Sequence, residues 1–143
     1  MKHKILIQGA ISTQMIADSI AAHQQKTHIG AHNIFLGQVR ADQIGSNPVT
    51  GIEYEAYPEM TEKTIAALRE YAIEKYNLTC LHIYHSVGRV RAGEICFFVF
   101  VSASHRKQVY AATEDIVNKV KEDVPIFGKE WVAEQEFFWK QNT

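Results

Sequence analysis

The segment Ser102-Ala103-Ser104-His105-Arg106-Lys107 places a histidine and two cations where an amphipathic helix begins. With Ser104 as N-cap, His105, Arg106 and Lys107 fill the first turn. The helix dipole is positive there, and each exposed cation is unfavourable by roughly 0.3–1 kcal/mol. A chain selected for stability alone carries Asp or Glu at such positions. The pattern fits an external anion held by free N–H groups and basic side chains. It equally fits three solvated cations tolerated at small cost. Arg40 ends an apolar strand-like run, Phe35 to Arg40, behind a glycine that lets another backbone come close. An ordinary edge arginine reads the same way. Lys119 and Lys121 flank the apolar face of the last helix on opposite sides, and periodicity does not choose between cleft and water for either.

Other chemistry has little support. No Gly-rich phosphate loop, G-x-S-x-G elbow or Cys–His pairing offers a conventional nucleophile. Cys80 and Cys96 sit in apolar runs and read as small buried hydrophobes rather than a disulfide framework. The seven histidines show no HExxH spacing and the cysteines no CxxC, so no metal and no cofactor is predicted.

The charge count explains why a local cluster matters. The 143 residues carry 15 Lys+Arg against 16 Asp+Glu, a formal net charge of −1. That balance argues against a protein that coats nucleic acid through bulk charge. It averages unlike regions, however. From His85 to Lys107 stand Arg89, Arg91, Arg106 and Lys107 against Glu94, whereas from Glu53 to Lys75 six glutamates face three cations. A basic cleft in a neutral protein suits a phosphorylated small molecule or an acidic tail. No run approaches a membrane span, and the N-terminus lacks a signal peptide's long apolar stretch, so a cytoplasmic protein is expected, with reduced cysteines to match.

The elements that must position these residues follow from patterning. A strand over Lys4–Gln8 closes at Gly9; Ser12 caps a helix running to about Gln25, with Ile11 stapled onto Ile16. A strand over Ala31–Arg40 leads into a Gly/Ser/Asn/Pro segment that reads as a mobile surface loop. A strand over Ile52–Tyr57 precedes a helix with Pro58 at its first position and a buried stripe of Ile65, Leu68, Ala72 and Tyr76. Strands over Leu81–Val87 and Glu94–Ser102 are joined by a turn at Gly88–Gly93. The unbroken apolar run Ile95–Val101 makes the second of them central. The last helix spans about His105–Val124 and stops at Pro125. The aromatic tail either adds a last strand or packs on a partner. The order β-α-β-β-α-β-β-α gives one α+β domain over 1–143, with a mostly antiparallel sheet and three main helices.

Five pieces, in order, carry a resemblance: Phe35–Arg40 (FLGQVR), Ile52–Met60 (IEYEAYPEM), His85–Glu94 (HSVGRVRAGE), Val101–Arg106 (VSASHR), and Lys121 followed by Val124–Glu130 (VPIFGKE). Together they resemble the family of the large, catalytic subunit of molybdopterin synthase over nearly the entire chain. The resemblance implies a hammerhead-like α+β fold and a homodimer. Each subunit then binds a small ubiquitin-like sulfur carrier, giving a heterotetramer. The carrier's C-terminal Gly-Gly thiocarboxylate enters a pocket, and two sulfur transfers onto cyclic pyranopterin monophosphate build the dithiolene of molybdopterin. The sulfur nucleophile arrives on the partner, so no catalytic cysteine is required.

By position, the resemblance makes Lys121 the pocket lysine that stabilises charge at the thiocarboxylate carbonyl and on the pterin. It makes Arg40, His105 and Arg106 the basic residues that hold substrate phosphate and pterin, with His105 also a proton donor. Phe35 matches an apolar pocket-side position, where a plain core role fits as well. The family pocket lies near the dimer interface, so groups can serve the neighbouring subunit. The chain departs from the pattern at Gly128, where many members have a second lysine. Either Lys129 reaches the pocket through a changed backbone, or Lys121 acts alone there. Ser86 also replaces a common arginine. These departures motivate a rival reading, a non-catalytic scaffold that binds a ubiquitin-like tail. A generic phosphate- or nucleotide-binding module, resting on the SASHRK segment, is a third.

Overall fold

The computed structural model describes residues 5–133 and 136–140. Their elements are β1 (Leu6–Gln8), α1 (Thr13–His23), β2 (Ala31–Gln38), β3 (Gln43–Ile44), β4 (Asn47–Pro48), β5 (Gly51–Ala56), α2 (Pro58–Tyr76), β6 (Cys80–Arg91), β7 (Ile95–Ala103), α3 (Arg106–Asp123), β8 (Ile126–Ala133) and β9 (Glu136–Trp139). The main sheet has the order β2-β7-β6-β5-β8-β9, with β1 added beside β6. Its pairings are antiparallel except for β1 with β6. The α+β reading with three helices therefore holds.

Strand β7 is central, between β2 and β6, as its apolar run demands. Its alternating side chains feed two cores. Phe97, Val99 and Val101 pack with Ile65, Leu68 and Ala72 of α2 and Val109, Ile116 and Val120 of α3. Phe98 and Phe100 face the other way, against Ile11, Met15 and Ile16 at the start of α1. The α1 cap forms as its sequence predicts, with Ser12 Oγ accepting from Met15 N at 3.1 Å. Asp115 of α3 ties the two helices of the first layer together, accepting from Tyr71 and Tyr76 hydroxyls at 2.7 Å each.

Several expectations need correction. Gly88–Arg91 is strand rather than turn: β6 continues to Arg91, where Gly51–Tyr54 of β5 supply new partners. The chain reverses only over 92–94. Such a long strand needs a local twist, and Gly88 provides it at φ +81°, with the Gln8 side chain against its Cα. The segment expected to be a mobile loop contains the β3–β4 hairpin, turned at Gly45 with φ +64°. His105, not Ser104, is the N-cap of α3, and Gln108 Oε1 accepts its N–H at 3.1 Å. The tail supplies a hairpin, β8–β9, whose first strand extends the sheet beyond β5. Lys4, the first residue of the expected N-terminal strand, lies outside the described residues.

Among the described residues no helix is long and apolar enough to cross a membrane. Leu81, fully buried in β6, tests the larger core: Leu81→Ala is expected to lower unfolding free energy by about 2–5 kcal/mol, read from denaturant midpoints.

Candidate functional site

Strand β6 changes partners midway, from β7 over Cys80–His85 to β5 over Gly88–Arg91. The sheet therefore has a seam, and a cavity of about 310 Å³ opens along it. Phe35 and Gly37 of β2, Cys96 and Phe97 of β7, His85 of β6, Tyr54 of β5 and Gly128 of β8 meet there. Lys121 enters from the last turn of α3, Arg40 from the end of the β2 run, and Lys140 from just beyond β9. A lysine in a helix's last turn also complements the negative end of its dipole. Three cations thus face one cavity, against the carboxylates Asp42 and Glu130. Asp42 is already engaged by Arg40 at 3.2 Å.

The cavity walls are polar groups held neutral. Burial pushes the Cys96 thiol pKa up, outweighing the lowering effect of Tyr54 and the Lys121 charge. Burial likewise raises the Tyr54 phenol, with Cys96 adding to the effect. The two are linked, Tyr54 OH donating to Cys96 Sγ at 3.4 Å and Sγ to Gly37 O at 3.4 Å. A thiol kept protonated is a poor nucleophile. His85 donates from Nδ1 to Ser86 O at 2.8 Å and packs on Tyr54 and Phe97. Burial takes its pKa down to about 4, the Ser86 bond opposing and the nearby Lys121 charge assisting.

The sequence-derived residues divide into two groups. Phe35, Arg40 and Lys121 converge on the cavity. His105 and Arg106 do not: they lie at the other end of α3, about 24 Å from Lys121 at 1.5 Å per residue. Both are exposed there. Lys129 alternates away from the cavity, because its neighbours Gly128 and Glu130 point in. Its Nζ pairs with Glu55 at 2.9 Å and sits over the rings of Phe137 and Trp139. The basic stretch from His85 to Lys107 is not a single patch either. Arg89 lies on the Trp131 ring and near Glu53, away from the α3 N-terminus. Lys119 pairs with Asp115 at 3.3 Å, which leaves Lys121 as the cavity's lysine on that helix.

Lys140 joins the cavity through the fold alone, with no motif in the sequence to mark it. Its N–H donates to Gly128 O at 2.8 Å, and the β8–β9 register makes it the cross-strand neighbour of Gly128. A Cβ on Gly128 would stand 2.9 Å from Ile52 Cγ2 and 3.3 Å from Tyr54 Cε1. The backbone position is crowded, while the next strand presents an ammonium to the same cavity. Ser86 is accounted for as well. It is fully buried, its Oγ donating to Gly9 O at 2.6 Å, which fastens β6 to the turn before α1.

Comparison with known proteins places this geometry. Residues 9–123 match the family model described as MoaE protein. The chain belongs to the MoaE family. A curated MoaE relative from Pyrococcus abyssi, a molybdopterin synthase catalytic subunit, is 37% identical over 105 residues, 73% of this chain and 70% of the relative. The crystal structure of molybdopterin synthase from Staphylococcus aureus superposes with a TM-score of 0.82 at 30% identity, covering 99% of this chain and 98% of that one. A chain in the complex of subunits 1 and 2 of the molybdopterin-converting factor from Helicobacter pylori shares the fold, with a TM-score of 0.82 at 20% identity over 96% of this chain and 89% of that one. The matched MoaE region ends before β8, so the hairpin that carries Gly128 and Lys140 lies outside it.

The His85 shift has a pH signature. As pH falls, the unfolded chain binds a proton on His85 near its ordinary 6.5, while the folded chain resists until about 4. Stability from this group is therefore whole above 6.5 and declines between 6.5 and 4. The loss amounts to up to about 3 kcal/mol. Urea midpoints across that range are expected to fall less steeply in His85→Asn than in the parent.

Proposed function

We propose that the chain is the catalytic subunit of a molybdopterin synthase, transferring sulfur from a carrier's C-terminal thiocarboxylate to cyclic pyranopterin monophosphate. The observation that carries this reading is the seam cavity with Arg40, Lys121 and Lys140 around a wall whose own thiol is held protonated. Such a cavity attracts two anions and supplies no competing nucleophile. The curated relative carries the same activity in its name, and the Helicobacter pylori match comes from a complex of subunits 1 and 2. A small ubiquitin-like carrier is the corresponding partner here, bound to each half of a homodimer. The cytoplasm is the matching location, in keeping with two free cysteines.

Within the cavity, Lys121 stabilises negative charge developing at the thiocarboxylate carbonyl, as a preorganised cation does. Arg40 and Lys140 hold the substrate's phosphate and the carrier's carboxylate product. Phe35 forms part of the apolar wall. His105 and Arg106 act in trans: exposed at the far end of α3, they complete the pocket of the partner protomer, where His105 supplies a proton. Lys129 supports the hairpin through Glu55 and its aromatic neighbours and has no direct part in the reaction. The scaffold reading rested on Gly128, and Lys140 beside it removes that motive.

Mixing the purified chain with a thiocarboxylated carrier and the cyclic pterin tests the proposal. Lys121→Ala is expected to reduce dithiolene formation by about 100-fold or more, in line with loss of a transition-state charge partner, while carrier binding persists. Lys140→Ala should lose roughly tenfold and Lys129→Ala stay within about twofold. Full turnover by Lys121→Ala would remove that residue from the mechanism.

A further inference from the structure

The opposite face of the sheet carries a second cluster that sulfur transfer does not use. His23 closes α1, while Cys80 and His82 open β6, two residues apart and on one face of it. That face also holds Phe100, against which the His23 ring packs at 4.5 Å. One ring nitrogen of each histidine and Cys80 Sγ all lie within 4.8 Å of one another. His23 Nε2 and His82 Nε2 are 3.0 Å apart. Tetrahedral zinc-type ions with two nitrogens and one sulfur hold those atoms roughly 3.3–3.8 Å apart. The cluster's separations, 3.0 Å between the two Nε2 atoms and no more than 4.8 Å between any two ligand atoms, bracket that spacing.

The supporting contacts point the same way. His23 Nδ1 lies 2.6 Å from Ser19 O, and a carbonyl only accepts, so this nitrogen carries the hydrogen. With the hydrogen on Nδ1, it is Nε2 that faces the cluster as the ligand atom. A ring oriented by a backbone carbonyl on its far nitrogen is the usual second layer of a metal-bound histidine. Lys26 Nζ stands 2.9 Å from Cys80 Sγ. It is an exposed side chain on a flexible stem, free to yield its place to a stronger cation. His82 also borders an open groove lined by Glu59, Glu62, Lys63, Arg69 and Tyr84.

We propose that His23, Cys80 and His82 bind one divalent transition-metal ion of the zinc type, with a fourth position open to water. Two imidazoles and a thiolate select such an ion over calcium or magnesium. Binding replaces the Nε2–H···Nε2 bond between the histidines, His82 carrying its proton on Nδ1 instead. The Cys80 S–H bond breaks and its proton leaves to solvent, so one proton is released and nothing is oxidised. Sequence spacing gave no sign of this site, because His23 and Cys80 meet only through folding.

The test uses the full chain, stripped with chelator and titrated with cobalt(II), which reports sulfur ligation by charge-transfer absorption. One equivalent is expected to produce that band, zinc to displace it, and zinc to raise the melting temperature. Cys80→Ser should lose the band and Cys96→Ser keep it. His82→Asn should weaken binding by at least the roughly 10- to 100-fold typical of losing a supporting group. Absence of the band in the parent chain at millimolar cobalt overturns the proposal, whatever the variants do. So does a band that survives Cys80→Ser. Neither result touches the sulfur-transfer reading, whose assay is run without added metal.

Discussion

The handover of β6 from β7 to β5 is the constraint on which the functional geometry depends. A strand of this length, Cys80–Arg91, cannot stay flat and keep both partners. It twists at Gly88, whose positive φ of +81° strains any residue with a side chain. Between the two sets of partners β6 is held by β1, in register from His85 to Val87. The buried Ser86 hydroxyl adds a fastening to Gly9. The seam so created is where β2, β7, β6, β5 and β8 all turn residues toward a common space.

Electrostatics follow from that placement. The seam is apolar enough to keep His85 neutral and Cys96 protonated, so the charges a ligand meets are the cations Arg40, Lys121 and Lys140 against the carboxylates Asp42 and Glu130. A charge in such a setting acts more strongly than on an open surface. The same packing explains why a cation comes from Lys140, just beyond β9, rather than from position 128. Ile52 and Tyr54 crowd the Cα of Gly128, while the cross-strand neighbour has room. Each protomer thus carries three cations at one end of α3 and exposes His105 and Arg106 at the other. That polarity suits a dimer whose pockets draw on both subunits.

Much of this was legible in the residues, and the failures have physical causes. The apolar run Ile95–Val101 correctly signalled a central strand, and Ser12 and Pro58 correctly marked helix starts. Gly88–Gly93 read as a turn because glycines at both ends signal reversal, whereas Gly88 bends a continuing strand. Lys119 and Lys121 were indistinguishable by angle alone. Asp115, one turn before Lys119, decides between them. Lys129 is adjacent to Gly128 in sequence, but strand alternation turns it away and the cross-strand neighbour Lys140 faces the cavity instead. The His23, Cys80 and His82 cluster was invisible for the same reason, its members being joined by tertiary contacts alone.

In the proposed dimer, an active pocket combines the cavity of one protomer with His105 and Arg106 of the other. Mixed dimers test it most directly. Lys121→Ala and Arg106→Ala protomers, each expected to lose most of its activity alone, are unfolded together, refolded, and assayed with thiocarboxylated carrier and cyclic pterin. Activity is expected to return, because a mixed dimer has one pocket with both residues intact. Mixed dimers as inactive as their parents would contradict it.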